Sequence, residues 1–382
     1  MRKIGCLLLV MVLLMGMMPM GASAVDLNVA GKSALLMDAA TGTVLYEKNA
    51  HEKLAPASVT KVMTMLLIME AIDSGKIGWD DTVTASETAS AKGGSQIYLK
   101  AGEEMSVTDM LKSIAVSSAN DCACAMAEHL AGSESAFVDM MNKRAKELGM
   151  NDTHFVNCTG LDDDPEAKDH LTSAYDIAIM SRELLVNHPD IKKFTTIWMD
   201  TVRGGTFGLS NTNKLVRFYQ GCTGLKTGFT SGAGYCLSAS ACRDGLELIA
   251  VVMGAENSQD RFNACKQMLD YGFANFALVE PELSGDHTVA VKLGTMDSVT
   301  VVPAELPRFL IDKAQRGEVK TEITLENKVT APVSQGQKLG TLTVKAGDQV
   351  LAQVNMIAKE AVPKLTWWQI FLQVLKRITM AA

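Results

Sequence analysis

The chain has 382 residues, which is long enough for two domains, and its hydrophobic content of 47% excludes wholesale disorder and predicts a sizeable core. The formal net charge is −7 at pH 7, so the sequence lacks the surplus of basic residues that is typical of nucleic-acid-binding proteins. We therefore expect a globular protein with no nucleic-acid partner.

The N-terminus has the pattern of a secretory signal peptide. Arg2 and Lys3 precede an apolar stretch at 6–20, and Gly21-Ala22-Ser23-Ala24 then supplies the small-x-small pattern of a signal-peptidase site. We predict that residues 1–24 are removed, which changes the formal charge from −7 to −9 because two cations are lost. A retained signal anchor is the alternative, but the apolar stretch is short for a membrane span.

A β-hairpin followed by a buried helix is predicted next. Residues 33–47 form two strand-like runs around a turn at Ala40-Thr41-Gly42. The sequence Ser58-Val59-Thr60-Lys61 then opens an unbroken apolar run at 62–69. A run of this kind indicates a helix that is buried in a core.

The spacing of Ser58 and Lys61 indicates an activated serine nucleophile. Positions i and i+3 lie on one face of a helix, so the Lys61 amine can reach the Ser58 hydroxyl. A lysine in a desolvated, cation-rich cleft can have its pKa lowered toward neutrality and can then accept the serine proton. The alternative is an N-cap serine with a solvated lysine one turn later.

The middle of the chain predicts a block of helices followed by strands. Helical patterns cover 107–115, 122–131, 134–148 and 173–186, and strand-like runs cover 225–226, 235–241 and 246–253. A closing helix is predicted at 260–271. Strands lie at both ends of this region, at 33–47 and 225–253, and helices lie between them. This order predicts that distant segments join in one largely antiparallel sheet, and therefore a fold of the α+β or α/β class.

The sequence changes in character after about residue 280. Short alternating runs at 288–293, 319–325 and 342–344 are separated by Gly, Asp and Asn, which predicts a small all-β domain at 281–363. Residues 25–280 would then form the first domain.

The last segment, 364–382, is predicted to be an amphipathic helix. Over 367–378, Gln and basic side chains fall on one side at roughly 100° per residue and the large apolar residues fall on the other. The helix is too short to span a bilayer, and paired tryptophans with basic residues are typical of a helix that lies at a membrane surface. A helix packed on the β-domain is the alternative.

The cysteines do not predict a disulfide framework. Outside the predicted signal peptide the chain has Cys122, Cys124, Cys158, Cys222, Cys236, Cys242 and Cys265. Seven cysteines cannot all pair, and their spacing does not match a zinc site. We predict mostly buried free thiols with a single disulfide possible, which favours a weakly oxidising or anaerobic exterior. No metal or organic cofactor is expected.

Two further motifs add to the Ser58 and Lys61 pair. Ser118-Ala119-Asn120 falls in a turn between predicted helices, and Lys226-Thr227-Gly228 lies on a predicted strand. The set S-x-x-K, S-x-N and K-T-G, in this order, resembles penicillin-binding proteins and class A β-lactamases. Over essentially the whole mature chain, the sequence resembles the low-molecular-mass penicillin-binding proteins that are D-alanyl-D-alanine carboxypeptidases of the peptidase S11 type.

This resemblance implies an α+β fold with a penicillin-binding/β-lactamase-like transpeptidase domain, and a protein that β-lactam antibiotics acylate. Ser58 would attack the penultimate D-Ala carbonyl of the peptidoglycan stem peptide, while Lys61 takes its proton. Asn120 would bind the substrate backbone or hold Lys61. Ser118 would pass a proton to the leaving amine.

The third motif would bind the other end of the substrate. Lys226 and Thr227, expected on an exposed strand, would bind the terminal carboxylate, and Lys226 would lower the pKa of Lys61 by repulsion. The backbone N–H groups of Ser58 and Phe229 would bind the oxyanion. Gly228 would let the substrate lie against the strand. Arg261 would lie near the carboxylate, and the alternative for it is a solvated arginine at a helix terminus.

Three other functions are weighed against the carboxypeptidase. A class A β-lactamase is the first. The loop at 160–167 lacks the Glu-x-x-x-Asn pattern of that class, so hydrolysis of penicillin is expected to be slow. An endopeptidase would use the same residues, so the sequence does not distinguish it from a carboxypeptidase. A peptidoglycan-binding scaffold would be expected to lack Ser58, Lys61 or Lys226. We therefore expect a secreted serine-type D-Ala-D-Ala carboxypeptidase that is anchored to the outer face of the cytoplasmic membrane.

Overall fold

The computed structural model describes residues 27–163, 165–281, 283, 285–306 and 308–372. The described chain divides into two compact units. The first contains 27–37, 44–240 and 249–268, and the second contains 38–43, 241–248 and the residues from Leu269 onward. The predicted signal peptide at 1–24 lies outside the described residues. The predicted domain boundary near residue 280 stays a prediction.

The strands and helices have the following bounds. The strands are β1 (Ser33–Asp38), β2 (Val44–Lys48), β3 (Thr82–Thr84), β4 (Glu104–Ser106), β5 (Met199–Val202), β6 (Phe207–Ser210), β7 (Cys222–Thr230), β8 (Gly234–Arg243), β9 (Leu246–Ala255), β10 (Phe276–Val279), β11 (Thr288–Lys292), β12 (Ser298–Pro303), β13 (Phe309–Asp312), β14 (Val319–Leu325), β15 (Lys328–Thr330), β16 (Lys338–Ala346) and β17 (Gln349–Ala358). The α-helices are α1 (Lys61–Asp73), α2 (Glu87–Ser90), α3 (Val107–Ser117), α4 (Asn120–Ala131), α5 (Glu134–Glu147), α6 (Ala174–Asn187), α7 (Lys192–Thr195), α8 (Leu215–Phe218) and α9 (Ser258–Asn275). Short 3₁₀ helices lie at Ala57–Thr60, Pro165–Asp169, Pro189–Ile191, Arg203–Gly205 and Lys313–Glu318.

A five-stranded sheet has the order β2-β1-β9-β8-β7. The predicted hairpin is confirmed, since β1 and β2 pair antiparallel with Leu36 opposite Tyr46. Its turn is fixed by the Asp38 carboxylate, which accepts hydrogen bonds from the backbone N–H and the hydroxyl of Thr41. Strands from both ends of this region therefore share one sheet, as the sequence predicts, and β7 with its K-T-G motif lies at an edge.

Helix α1 forms the centre of the first unit. Its residues from Lys61 to Met69 are all buried, because the helix has no polar face. The closing helix, predicted at 260–271, is longer and spans Ser258–Asn275, whereas the four predicted helices between 107 and 186 are confirmed to within two residues at each end. Serine side chains cap three of them at Ser106, Ser133 and Ser173, where each hydroxyl accepts a backbone N–H of the first turn.

The second unit contains the predicted all-β region. Its six-stranded sheet has the order β14-β16-β17-β12-β11-β15. The strands bury alternate side chains, and the core that they form includes Val289, Val299, Leu342, Val344 and Met356. A separate pair, β10 and β13, is antiparallel.

The C-terminal segment is described only as far as residue 372. Residues 367–372 are helical, and Trp367 and Trp368 are exposed. The rest of the predicted helix, 373–382, lies outside the described residues. Within the described ranges, no helix is both long and apolar enough to cross a membrane.

The cysteines are free thiols, as the sequence predicts for most of them. Cys222 and Cys242 are half-buried and the other five are buried. The single disulfide that the sequence left possible is not formed among these described residues.

Candidate active site

Ser58 is presented by a strained turn at the start of the central helix. It is half-buried in the 3₁₀ turn Ala57–Thr60 that precedes α1. Ala57 has a φ of 48°, a left-handed conformation that is uncommon for a residue with a Cβ atom. Gly160 packs directly behind it, because a Cβ atom at that position would lie 1.8 Å from the Ala57 carbonyl oxygen. The turn is therefore braced by the segment around Gly160.

Lys61 lies fully buried beneath Ser58. Its Nζ is 2.9 Å from Ser58 Oγ and 2.8 Å from the carbonyl oxygen of Thr159. Burial lowers the pKa of Lys61 from its usual value to about 7, against the opposing effects of Cys158 and Asp121. A substantial fraction of the amine is therefore neutral near pH 7, so Lys61 can accept the proton of Ser58. The sequence predicts the contact between Ser58 and Lys61, but it does not predict that the Thr159 carbonyl oxygen also binds the Lys61 amine.

The second motif lies where α3 ends and α4 begins. Ser118 ends α3 in a left-handed conformation with a φ of 64°. Asn120 starts α4, and its Nδ2 donates to the carbonyl oxygen of Gly93 at 2.7 Å. Its Oδ1 is buried and has no hydrogen-bond partner among the described residues. Lys61 donates to Ser58 and Thr159 rather than to Asn120, and a contact of Asn120 with the substrate stays a prediction.

Asp121 was not singled out from the sequence. It is fully buried, and its carboxylate accepts the backbone N–H groups of Ile97 and Leu99 at 3.1 and 3.0 Å. These bonds fix the loop that carries Gly93, against which Asn120 is placed. The sequence feature that could have pointed to Asp121 is an acidic residue in the first turn of a helix, directly after the S-x-N motif.

The prediction that Lys226 and Thr227 lie on an exposed strand is wrong. They are only 1% and 5% exposed, because β7 packs against the turn that carries Ser58. Thr227 Oγ1 donates to Thr212 Oγ1 at 2.7 Å. The Lys226 Nζ donates to the Thr227 carbonyl oxygen at 2.9 Å.

Burial lowers the pKa of both lysines. Burial, followed by repulsion from Lys61 and Arg261, lowers the pKa of Lys226 well below its usual value. The sequence predicts that repulsion from Lys226 lowers the pKa of Lys61, but burial is the cause that lowers it there. A site that buries two amines and a guanidinium is matched to an anionic ligand.

Gly228 is required by the protein itself. A Cβ atom at this position would lie 2.6 Å from the Pro56 carbonyl oxygen and 3.1 Å from the Ser58 nitrogen. The sequence predicts that this glycine makes room for the substrate, whereas the structure shows that it lets β7 pack against the Ser58 turn. Phe229 follows it, 52% exposed and stacked on Tyr235 with ring centroids 4.3 Å apart.

Arg261 is neither solvated nor at the surface. It is 8% exposed, and its guanidinium donates to the carbonyl oxygen of Gly228 at 2.8 Å. A weaker bond of 3.3 Å joins it to the carbonyl oxygen of Cys236 on β8. Burial lowers the pKa of Arg261. The solvated alternative is therefore wrong, and a contact of Arg261 with the substrate carboxylate stays a prediction.

One group of potential metal ligands lies at the other end of α1. Oxygen and nitrogen atoms of Glu70, Glu183 and His188 come within 4.8 Å of one another. The Arg144 guanidinium lies among them and donates to Glu70 and to Glu183 at 2.7 Å each. The two carboxylates are thus already paired with a cation, so the arrangement is an ion-pair network.

Comparisons with known proteins agree with the motifs. A family model described as D-alanyl-D-alanine carboxypeptidase, peptidase S11, matches residues 19–257. A second model, described as the C-terminal domain of penicillin-binding protein 5, matches residues 281–364. The chain is 47% identical over 340 residues to the D-alanyl-D-alanine carboxypeptidase DacF of Bacillus subtilis, which covers 87% of this chain and 86% of the relative.

Solved structures show the same likeness. Penicillin-binding protein 5 from Haemophilus influenzae is 30% identical with a TM-score of 0.72, over 88% of this chain and 98% of that one. Penicillin-binding protein D2 from Listeria monocytogenes, in its ampicillin-bound form, is 32% identical with a TM-score of 0.57. That match covers 65% of this chain and 100% of the other.

Proposed function

Because the chain belongs to peptidase S11, the family of D-alanyl-D-alanine carboxypeptidases, we propose that it removes the terminal D-alanine of peptidoglycan pentapeptide stems through an acyl-enzyme on Ser58. The observation that carries this proposal is the hydrogen bond of 2.9 Å between Ser58 and a fully buried lysine. A lysine with a pKa of about 7 is a base that can act at neutral pH.

The reaction has two halves. In acylation, neutral Lys61 takes the proton of Ser58 as Ser58 Oγ attacks the carbonyl carbon of the penultimate D-Ala. The peptide C–N bond breaks, and the proton that Lys61 took passes by way of Ser118 to the leaving amine of D-alanine, so Lys61 is neutral again. In deacylation, water attacks the carbonyl carbon of the Ser58 ester and its proton passes to Lys61. Lys61 returns this proton to Ser58 Oγ as the ester C–O bond breaks, and the shortened peptide leaves as a carboxylic acid.

The third motif places the substrate. The buried Lys226 amine and the Thr227 hydroxyl supply hydrogen bonds for the terminal carboxylate, and the negative charge of that carboxylate favours the ammonium form of Lys226. The backbone N–H groups of Ser58 and Phe229 supply the oxyanion donors. The close packing of Gly228 on the Ser58 turn supports this role, because it brings the two backbone segments together.

β-Lactam antibiotics acylate the same serine under this proposal. A related structure is described in an ampicillin-bound form, and the present chain shares its fold at 32% identity. Hydrolysis of the resulting ester is expected to be slow, because the loop at 160–167 lacks the Glu-x-x-x-Asn pattern of class A β-lactamases.

The proposed location is the outer face of the cytoplasmic membrane. The sequence at 1–24 supports secretion, and the amphipathic pattern at 367–378 supports attachment to the membrane surface. The exposure of Trp367 and Trp368, at 74% and 59%, fits rings that enter a lipid interface.

The nucleophile is tested by Ser58→Ala. Release of D-alanine from a diacyl-Lys-D-Ala-D-Ala peptide is measured for this variant and for Ser74→Ala, which changes a serine that follows α1. We expect a loss of at least about a thousandfold for Ser58→Ala and wild-type rates for Ser74→Ala. Release by Ser58→Ala at the wild-type rate refutes the proposal and favours a chemistry that does not use this serine.

A further inference from the structure

A buried histidine joins the two segments that position Ser58 and Lys61. His170 lies just after the 3₁₀ helix Pro165–Asp169 and is 3% exposed. On one side its Nε2 is 2.8 Å from Thr60 Oγ1. On the other side its Nδ1 accepts the backbone N–H of Val156 at 3.1 Å. His170 belongs to none of the three sequence motifs.

The hydrogen bonds define the protonation of the ring. A backbone N–H can only donate, so Nδ1 must be the unprotonated nitrogen. The proton therefore lies on Nε2 and is donated to Thr60 Oγ1. Burial is the main reason why the pKa of His170 is lowered to about 4, with smaller effects of His154 and Lys61. The ring is thus neutral at any pH at which the enzyme is expected to work.

The Thr60 side of the ring leads to the nucleophile. Thr60 Oγ1 donates to the carbonyl oxygen of Ala57 at 2.8 Å. Ala57 is the residue with left-handed backbone, and it directly precedes Ser58. A conformation of this kind persists only when its surroundings fix it. The hydrogen bond from His170 orients the Thr60 hydroxyl, and this hydroxyl in turn stabilises the turn at Ala57.

The Val156 side of the ring leads to the base. Val156 begins a short segment in which Asn157 Oδ1 accepts the N–H groups of Thr159 and Gly160 at 3.1 and 2.7 Å. The carbonyl oxygen of Thr159 accepts the Lys61 amine, and that of Cys158 accepts the Thr64 hydroxyl. The position of the Lys61 acceptor therefore depends on a segment that His170 anchors.

We propose that His170 is a positioning residue for acylation, which sets the distance between Ser58 and Lys61 by tying the Ala57 turn to the segment that carries Thr159. This inference rests on the proposed function of Ser58 and Lys61. A histidine that only fills the core would contribute to stability without affecting the reaction step.

Two conservative variants separate the two bonds. In His170→Asn, the amide oxygen replaces Nδ1 as the acceptor of Val156, but the side chain is too short to reach Thr60. In His170→Gln, the longer amide can donate to Thr60, but Val156 loses its acceptor. Thr60→Val removes the hydroxyl but keeps a side chain of similar shape. It therefore tests the contact between His170 and the Ser58 turn without changing the histidine. His154→Gln is the matched control, because His154 pairs with Leu171, the residue after His170, but is exposed.

The measurements are the rate constant of acylation by penicillin, kcat and KM for D-alanine release, and the pH profile of kcat/KM, all on full-length folded protein. We expect His170→Asn, His170→Gln and Thr60→Val each to lower acylation by about ten- to a hundredfold, with KM within about twofold of wild type. The double variant Thr60→Val/His170→Asn should be no slower than the slower single variant, since both changes break one chain of bonds.

The pH profile adds a readout that core packing would not change. A carbonyl acceptor stabilises the protonated form of Lys61, so loosening Thr159 lowers the pKa of Lys61. The acid limb should therefore move to lower pH in His170→Gln and stay in place in His170→Asn. His154→Gln should match wild type in every measurement.

The inference is overturned if the folded His170 variants lose thermal stability but acylate at the wild-type rate. Should both histidine variants fail to fold, a wild-type acylation rate in Thr60→Val overturns it alone. If the wild-type enzyme itself is not acylated on Ser58, the proposed function fails instead, so the two failures are distinguished.

Discussion

Lys61 shows how burial alone changes the chemistry of a single residue. An exposed lysine is almost fully protonated at neutral pH and cannot act as a base. Removal from water disfavours the ammonium, and the two oxygen atoms near Nζ do not restore the usual pKa. Ser58 therefore has a basic partner at 2.9 Å without any histidine or carboxylate.

The pH dependence of the reaction follows from this residue. Lys61 must be neutral to take the serine proton, so kcat/KM should rise as the pH increases through about 7 and fall about tenfold per pH unit well below it. The profile is measured from pH 5 to pH 9 by D-alanine release. A rate that stays constant from pH 5.5 to pH 8.5 would contradict the role of Lys61 as the base.

The sequence predicts the residues that belong to a motif and misses those that reach the site from distant segments of the chain. The spacing of Ser58 and Lys61 is enough to predict their contact. Thr159 contributes a carbonyl oxygen, which every residue has, and it lies 98 residues from Lys61 in the chain. His170 is 110 residues from Thr60. No local pattern reports contacts at these separations.

At the scale of elements, the site is formed where an edge strand packs against a helix start. Strand β7 lies at the edge of the sheet and contacts the Ala57–Thr60 turn. The approach is close enough that only glycine fits at position 228. Packing of two elements, rather than a loop, thus fixes the distance between the K-T-G motif and Ser58.

Gly228→Ala tests this packing. The added methyl group would clash with the Pro56 carbonyl oxygen, so the strand must move and acylation should slow by about tenfold or more. Gly208→Ala is the control, because that glycine has open space around its Cα and lies on β6. Equal acylation rates for the two variants, measured with penicillin, would show that the close approach has no part in the reaction.

Helix spans were predictable because their ends are encoded locally. Ser106, Ser133 and Ser173 cap the helices that follow them, and apolar periodicity defines the rest. The burial of Lys226 was not predictable in this way. It depends on which strand lies at the edge of the sheet and what packs against it, and both depend on pairings between distant segments.

At the scale of the whole molecule, the chain combines a catalytic unit with a β-sheet unit whose last described segment carries exposed aromatic residues. Trp367, Trp368 and Phe371 form one group of contacting rings. Large exposed apolar groups of this kind mark a surface for lipid or protein. The sequence around them, with its basic residues, favours lipid.

Replacement of both tryptophans should release the protein from membranes. We expect Trp367→Glu/Trp368→Glu to bind anionic phospholipid vesicles at least about tenfold more weakly than wild type, with unchanged D-alanine release. Phe218→Glu is the control, since Phe218 is 68% exposed but lies far along the chain from this segment. Vesicle binding is measured by co-sedimentation, and undiminished binding of the double variant would refute membrane attachment through these residues.

The central claim is that Ser58 forms the acyl-enzyme, and mass spectrometry after incubation with penicillin tests it most directly. We predict one adduct with the mass of the intact β-lactam, located by peptide mapping on Ser58, in a protein that also releases D-alanine from diacyl-Lys-D-Ala-D-Ala. An adduct on Ser58 without release of D-alanine would contradict the carboxypeptidase and favour an endopeptidase. An adduct on another residue, or none in a protein that releases D-alanine, would contradict the account of the active site.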